Sequence, residues 1–190
     1  MSSETANSLR NQFLIAMPHM ADPNFADSVT YICEHNDQGA MGIVINRPTN
    51  LTLGEIYRQI GIEDLEQAAH QEEVICAGGP VQLERGFVLH DSQQVWESTL
   101  QVAPGINLTT SRDILQAVAE GRGPQQIIIA LGYAGWGAGQ LEAEIKENAW
   151  LTCEASPELL FNTPIHLRRQ AAAASIGVDL QRLAPDSGHA

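Results

Sequence analysis

GYAGWGAGQLE, residues 132–142, is the stretch of this chain that most restricts its fold. It follows an apolar run at 127–131 and precedes a segment of helical composition at 140–150. This order predicts a buried strand, a glycine-rich turn and a helix, a layout that many ligand sites use. Glycine permits positive φ angles and close backbone approach at a cost in chain entropy. Tyr133 and Trp136 are therefore candidate ligand contacts, with Trp136 alternatively a packing lid over the turn.

The same stretch argues against a nucleotide phosphate site. The P-loop ends in Gly-Lys-Ser/Thr, whereas the only lysine of the chain is Lys146. The dinucleotide fingerprint requires a third glycine three residues after the second, and Gly139 is followed there by Glu142. Carboxylates in the first helical turn suit its positive end and repel a phosphate that approaches the same amides.

Composition indicates one folded domain, which we place at residues 1–182, with a loose C-terminal tail at 183–190. The chain has 190 residues, of which 44% are hydrophobic and 17% charged. Its apolar runs are far shorter than the ~20 residues of a membrane-spanning helix, and the first residues lack the pattern of a secretory signal. Three cysteines without a CxxC motif are typical of reduced thiols. We therefore expect a cytoplasmic protein that does not contact a membrane.

The net charge of the chain restricts the classes of partner that it can bind. The formal net charge is −13, and the arginines are dispersed along the chain. Direct nucleic-acid binding rests on a basic patch, so this composition disfavours it. DNA contact would require the fold to gather Arg112, Arg122, Arg168 and Arg169 on one face.

The periodicity of apolar residues predicts an α+β fold, because strands dominate the first half and helices the second. Residues 28–33 and 40–46 are expected to form a hairpin with a five-residue connection at 35–39. A capping box at Thr52 and Glu55 predicts a helix that stops at Gly61. Further strands are expected at 13–17, 74–77, 86–90, 96–102, 106–109 and 151–155, and further helices at 111–120, from 157 and at 164–175.

Asn46 and Arg47 form a candidate ligand site at the end of a predicted strand. Strand ends commonly carry binding residues, and arginine is suited to carboxylate or phosphate recognition. Alternatively, Arg47 fixes the loop by pairing with an acidic side chain or with carbonyl groups.

The turn at Gly78-Gly79-Pro80 also has a functional and a structural interpretation. Its amides could form an anion nest near Arg85 or Arg47, or the turn could serve only to redirect the chain.

Cys33 and His35 are the only local grouping that resembles a nucleophile with its base. On a regular strand the two side chains share one face, which would lower the pKa of the thiol. The pair could also supply two zinc ligands with His90 as a third, although no further Cys/His pair has ligand spacing. A buried structural cysteine is the alternative that the sequence favours. We therefore predict no metal and no cofactor, and treat Cys33 and His35 as weak catalytic candidates.

Several runs of residues also resemble a known family. The most specific is GAMGIVINRP at 39–48, and the others lie at 13–18, 33–35, 78–81, 85–90, 132–136 and 140–142. On these residues the chain resembles the AlgH/YqgE family of bacterial proteins from Leu9 to about Gly177. The resemblance implies a single α+β domain with a bifurcated mixed β-sheet, partly closed as a small barrel and surrounded by helices. It also implies a role in gene regulation linked to alginate production, and it brings no catalytic residue.

Two classes of function follow. The first is a non-enzymatic cytoplasmic regulator of gene expression that acts through a protein partner or a small anionic ligand. The second is an enzyme or redox sensor that uses Cys33 and His35, with Arg47 and the glycine turns shaping its pocket.

Overall fold

The structure is a computed structural model, and it describes residues 8–63 and 65–183. The strands within these ranges are β1 Gln12–Ala16, β2 Val29–Asn36, β3 Gly39–Val44, β4 Pro48–Thr52, β5 Val74–Ala77, β6 Val81–His90, β7 Thr99–Ala103, β8 Ile106–Thr109, β9 Ile127–Gly137 and β10 Trp150–Glu154. The α-helices are α1 Leu53–Gln59, α2 Asp113–Ala119, α3 Gln140–Lys146, α4 Pro157–Phe161, α5 Arg168–Ser175 and α6 Leu180–Leu183. Short 3-10 turns lie at Leu65–Gln67 and Ile165–Leu167.

The centre of the sheet is β9, where the sheet divides. Along the main path the strand order is β10-β1-β2-β3-β9-β6-β8-β7. The edge of β9 opposite β6 pairs first with β5 in parallel, at Ala130 and Leu131. It then pairs with β3 in antiparallel orientation, from Ala134 onwards. The sheet is therefore bifurcated and mixed, and it curls into a half-barrel, which confirms the fold that the family resemblance implies.

Glycines allow the backbones to meet at this division. The Gly78 amide donates to the Leu131 carbonyl and the Gly78 carbonyl accepts from the Val44 amide, both over 2.8 Å. A Cβ atom on Gly78 would lie 2.3 Å from the Gly132 carbonyl oxygen, and Gly132 itself has a φ angle of +81°. Strands β5, β3 and β9 can therefore approach one another only with glycine at this point.

The predicted glycine-rich turn at 132–139 is wrong. Strand β9 continues through Gly137, and the connection to α3 is limited to Ala138 and Gly139. Gly139 has a φ angle of +75°, so it supplies the left-handed residue of that short turn. Gly132 instead serves close packing between strands, since a Cβ atom there would lie 2.5 Å from the Gly79 carbonyl oxygen, and this use leaves the same mark on a sequence as a turn.

Three clusters of buried residues stabilise the fold. The first fills one end of the half-barrel, with side chains from β1, β2, β3, β6 and β8 closed below by Leu160 and Ala172 of α4 and α5. The second lies on the other face of β6 and β9, under α1 and α2. The third covers the outer face of β1, β2 and the end of β9 with α3.

Most of the other predicted elements are confirmed, with shifted bounds. The Thr52 amide donates to the Glu55 carboxylate at the start of α1, and Gly61 follows its end with a φ angle of +80°. The β2–β3 hairpin has a two-residue loop, Asp37 and Gln38, since Asn36 pairs with Gly39; the predicted five-residue connection is wrong.

The proposed tail falls mainly outside the described residues. Its first residue, Leu183, ends α6, and residues 184–190 are not described. Among the helices that the structure does describe, none combines the length and the apolar character needed to cross a membrane.

Candidate functional site

The open end of the half-barrel is a cavity of about 840 Å³. Six successive strands of the curled sheet contribute to it, together with the segment before β7. Its lining side chains include Glu34, Met41, Phe87, Leu108, Glu97, Leu100, Arg85 and Tyr133. Phe87 and Leu108 belong both to the first core cluster and to the lining, so the cavity borders the core on one side and opens to solvent on the other. Barrel mouths of this kind are common ligand sites.

Two aromatic rings and one guanidinium group give the cavity its chemical character. The rings of Phe87 and Tyr133 meet edge to face, with their centroids 5.6 Å apart. The guanidinium carbon of Arg85 lies 5.4 Å from the centroid of the Phe87 ring, a cation–π distance. Among the described residues Arg85 forms no ion pair, and its one side-chain hydrogen bond is a 3.3 Å contact with the Gln82 amide oxygen. An exposed arginine beside an aromatic wall can bind a carboxylate attached to an apolar body.

Arg85 reaches the cavity because β6 bulges outwards. Val81 pairs with Tyr133 and Gly86 pairs with Leu131, so four residues of β6, 82–85, stand opposite the single residue Gly132. We call residues 82–85 the β6 protrusion. Its backbone leaves the sheet at Gln82, where φ is +49°, and Leu83 at its tip is 64% exposed. The protrusion therefore holds Arg85 at the rim of the cavity.

Acidic and hydroxyl groups complete the rim. Glu34 and Glu97 line the cavity, as do Ser98, Thr99 and Thr110. The two carboxylates oppose the entry of a group with several negative charges, whereas the single guanidinium of Arg85 can neutralise one. An anion could therefore be held here only in direct contact with Arg85.

A buried polar chain lies behind the cavity wall. Thr99, a lining residue, shares a 2.8 Å hydrogen bond with Thr109, and Thr109 shares another of 2.8 Å with His90 Nε2. His90 is fully buried and its ring meets that of Trp96 edge to face at 5.2 Å. Burial lowers the pKa of His90 to about 4, against a smaller opposing effect of Asp91. The imidazole is therefore neutral at physiological pH and fixes the hydroxyl chain that supports the wall.

Asn46 and Arg47 lie outside the cavity and hold the loop before β2. Arg47 donates to the carbonyl oxygens of Asn24 and Ala26, over 2.6 and 2.7 Å. The Asn46 side chain accepts from the Val29 amide and donates to the Asp27 carbonyl, each over 2.9 Å. Of the two interpretations that the sequence left open for Arg47, the structure favours the loop-fixing one.

Gly78 and Gly79 also lie away from the cavity. The Gly78 amide is used by the Leu131 carbonyl, and a Cβ atom on Gly79 would lie 2.1 Å from the Tyr133 carbonyl carbon. These glycines therefore fit the structural interpretation, a close strand contact, better than an anion nest. Arg85 and Tyr133 are the predicted ligand residues whose side chains the structure brings together.

Cys33 and His35 do not form a pair, because a β-bulge separates them. Ile32 pairs with Gly42 and Glu34 with Met41, so Cys33 is the extra residue and the alternation of faces is reset. Cys33 points into the first core cluster, whereas His35 contacts Leu9 and the Glu142 carboxylate on the opposite face. The prediction that the two side chains share a face is wrong.

The environment of Cys33 opposes nucleophilic chemistry. The thiol is completely buried, and burial raises its pKa well above the ordinary value, with the Glu34 carboxylate adding to the effect. Cys76 and Cys153 are also buried, with pKa values raised by burial. Within residues 8–63 and 65–183, no three His, Cys, Asp or Glu side chains are placed to hold a metal ion together.

Trp136 borders the cavity, but its ring packs in the third core cluster. It stacks on Phe25 with centroids 5.8 Å apart and meets Trp150 edge to face at 6.1 Å. The indole nitrogens of Trp136 and Trp150 both donate to the Glu144 carboxylate, over 3.1 and 3.0 Å. Of the two roles considered for Trp136, the structure favours packing.

Comparison with known proteins identifies the family. The sequence profile of the AlgH-like family, DUF179, matches residues 13–181. This chain belongs to the AlgH-like family. A UPF0301 protein of Thioalkalivibrio sulfidiphilus is 56% identical over 185 residues, which cover 97% of this chain and 98% of that protein. A UPF0301 protein of Pseudomonas aeruginosa is 53% identical over the full length of both chains.

Solved structures agree with the fold of this AlgH-like chain. The solution structure of the AlgH protein from Pseudomonas aeruginosa superposes with a TM-score of 0.79, at 54% identity and 97% coverage of both chains. A crystal structure of a Corynebacterium diphtheriae protein reaches a TM-score of 0.70 at 20% identity, covering 92% of this chain and 90% of its own, and supports the fold alone.

Proposed function

We propose that this AlgH-like protein is a cytoplasmic binding protein that takes a small organic monoanion into the half-barrel cavity and regulates gene expression through a protein partner. The observation that carries the proposal is the guanidinium of Arg85, which has no carboxylate partner among the described residues and lies against Phe87 at the cavity mouth. In a chain with a net charge of −13, an arginine without an acidic partner is available for an external anion.

The lining supports a ligand with an aromatic or apolar body. Phe87, Tyr133, Met41 and Leu100 present rings, a thioether and an aliphatic side chain to the cavity. Burial of such a body provides most of the affinity, while one charge-assisted hydrogen bond with Arg85 fixes its orientation. Glu34 and Glu97 disfavour phosphates and dicarboxylates.

The regulatory part of the proposal rests on the family. A relative of known structure is named AlgH, and the resemblance to the AlgH/YqgE family implies a link to alginate production. The net charge of −13 disfavours direct DNA contact, so we place a protein partner between this protein and its target genes.

A thermal-shift screen tests the ligand site. Benzoate and phenylacetate are compared with benzamide and phenylacetamide, which have the same bodies without the charge, and with phthalate as a dianion. A monoanion present at ~100 times its dissociation constant stabilises the native state by about 2.7 kcal/mol.

The matched variants are Arg85→Gln and Arg58→Gln. Both remove one exposed positive charge, but only Arg85 lines the cavity. We expect the shift to disappear in Arg85→Gln and to persist in Arg58→Gln. Equal stabilisation by acids and amides, or an unchanged shift in Arg85→Gln, would refute the anion site.

Gel retardation tests the indirect route to gene expression. We expect no retardation of DNA at low salt, with or without the monoanion. A retarded band that weakens steeply as salt rises would contradict the proposed protein partner and favour direct DNA contact.

A further inference from the structure

A second cavity, of about 500 Å³, lies between α1 and α2 on the other face of β6 and β9. We call it the α1–α2 groove. Aliphatic side chains from both helices, from both strands and from the β6 protrusion form its wall, namely Ile56, Ile60, Leu83, Val88, Leu115, Ile129 and Leu131. The lining contains no aromatic ring, which distinguishes this groove from the half-barrel cavity.

The groove exposes part of the second core cluster. Val88 and Ile129 form its buried floor, and Ile56, Ile60 and Leu115 pack against that cluster while remaining only partly buried. Leu83, 64% exposed, stands over the groove from the β6 protrusion. Exposed apolar surfaces of this kind often mark sites where an apolar ligand or partner binds.

Arginine side chains give the groove a positive rim in an acidic protein. Among the described residues, four arginines donate to backbone carbonyls, namely Arg10, Arg47, Arg168 and Arg169. Arg169 also pairs with Asp27, and Arg122 and Arg182 form ion pairs as well. The remaining three are Arg58, Arg85 and Arg112. Both Arg85 and Arg112 line the groove, beside one acidic residue, Glu84.

We propose that the α1–α2 groove binds a medium-chain fatty acid, with its aliphatic chain along Ile60, Leu115 and Ile129 and its carboxylate at Arg112. Straight-chain aliphatic contacts match the lining, and one negative charge matches the positive rim. The net charge of −13 opposes the approach of a highly acidic peptide or of a second copy, whereas a monoanion experiences little of this repulsion. This site is separate from the proposed monoanion site of the half-barrel cavity.

Methyl NMR on the full chain tests the proposal, with decanoate as the probe below its micelle concentration. Decanol and decyltrimethylammonium have the same chain with a neutral and a positive head. The methyl groups of Ile60 and Leu115 report on the groove, and that of Met41 reports on the half-barrel cavity. We expect decanoate to shift the Ile60 and Leu115 signals, and a shift of Met41 reports separate binding in the half-barrel cavity.

The variant Arg112→Gln should weaken decanoate binding about fivefold, the upper range for an exposed ion pair, and leave decanol binding unchanged. Arg58→Gln, which removes an exposed charge outside the groove, should leave both unchanged. Arg112 is exposed, so its replacement does not disturb the core.

Several results would overturn the proposal. One is the absence of any shift, and another is a shift of Met41 alone. Equal binding of decanoate and decyltrimethylammonium would show that the groove has no preference for an anion. If Arg112→Gln and Arg58→Gln weaken decanoate binding equally, the effect of Arg112 is only that of net charge. If the groove signals depend on protein concentration without decanoate, a second copy covers the groove instead.

Discussion

Replacement of His90 by glutamine is predicted to reduce the loss of stability that this protein suffers in mild acid. His90 is fully buried, and Nε2 is engaged by the Thr109 hydroxyl at 2.8 Å. Burial lowers the pKa of His90 to about 4 from an ordinary value of 6.5. The native state therefore holds the neutral imidazole, whereas the unfolded chain takes up a proton as soon as the pH falls below the ordinary value.

Proton linkage gives the sign and the size of the effect of His90 on the free energy of unfolding. Between these two pKa values the unfolded state binds more protons than the native state, so the free energy of unfolding falls as the pH falls. The contribution of His90 is complete above about pH 6.5 and is lost as the pH falls towards about 4. At about 1.4 kcal/mol for each pH unit, the interval corresponds to about 3 kcal/mol.

Urea unfolding at a series of pH values measures this contribution. Glutamine keeps a polar group near Thr109 and does not titrate, so the difference between the wild-type and His90→Gln curves cancels the carboxylates that titrate in both proteins. An exposed histidine supplies the control variant His166→Gln. We expect the two curves to converge by about 3 kcal/mol between about pH 7 and about pH 4. Parallel curves across that range would refute the assignment of a buried neutral His90.

Three further predictions concern stability and reactivity. Arg47→Met should lower the free energy of unfolding by about 2 kcal/mol, through loss of two hydrogen bonds to carbonyls, without weakening ligand binding; urea unfolding and ligand titration check the two parts. Gly78→Ala should destabilise by at least about 2 kcal/mol, because its Cβ atom would lie 2.3 Å from the Gly132 oxygen; an unchanged melting temperature would contradict this. No thiol should react with an aromatic disulfide reagent in the native state, because Cys33, Cys76 and Cys153 are all buried, and all three should react in urea; rapid native labelling would contradict it.

Local patterns predicted the elements of this fold more accurately than their assembly. The capping box at Thr52 and Glu55 and the stop at Gly61 lie where the sequence places them, because a helix end depends on adjacent residues. The glycines at 132–137 were assigned to a turn, although they belong to β9. A glycine required by a neighbouring strand cannot be distinguished in one sequence from a glycine required by a turn.

The candidate site depended on features that local patterns do not contain. A single bulge after Ile32 places Cys33 and His35 on opposite faces, and alternation along β2 gives no sign of it. The cavity joins residues as distant as Glu34 and Tyr133, so Met41 and Leu100 could be recognised as lining residues only after strand pairing was known. Arg85 was a candidate because it follows the Gly-Gly-Pro turn, and its place at the cavity rim results from the unequal pairing of β6 and β9.

The most direct test of the central claim is an NMR titration of the labelled protein with phenylacetate. Our account predicts that the Met41 methyl signal and the ring signals of Phe87 and Tyr133 move together with one dissociation constant, and that Arg85→Gln weakens this binding. Signals that stay fixed at saturating phenylacetate, or that move equally in Arg85→Gln, would contradict an anion site in the half-barrel.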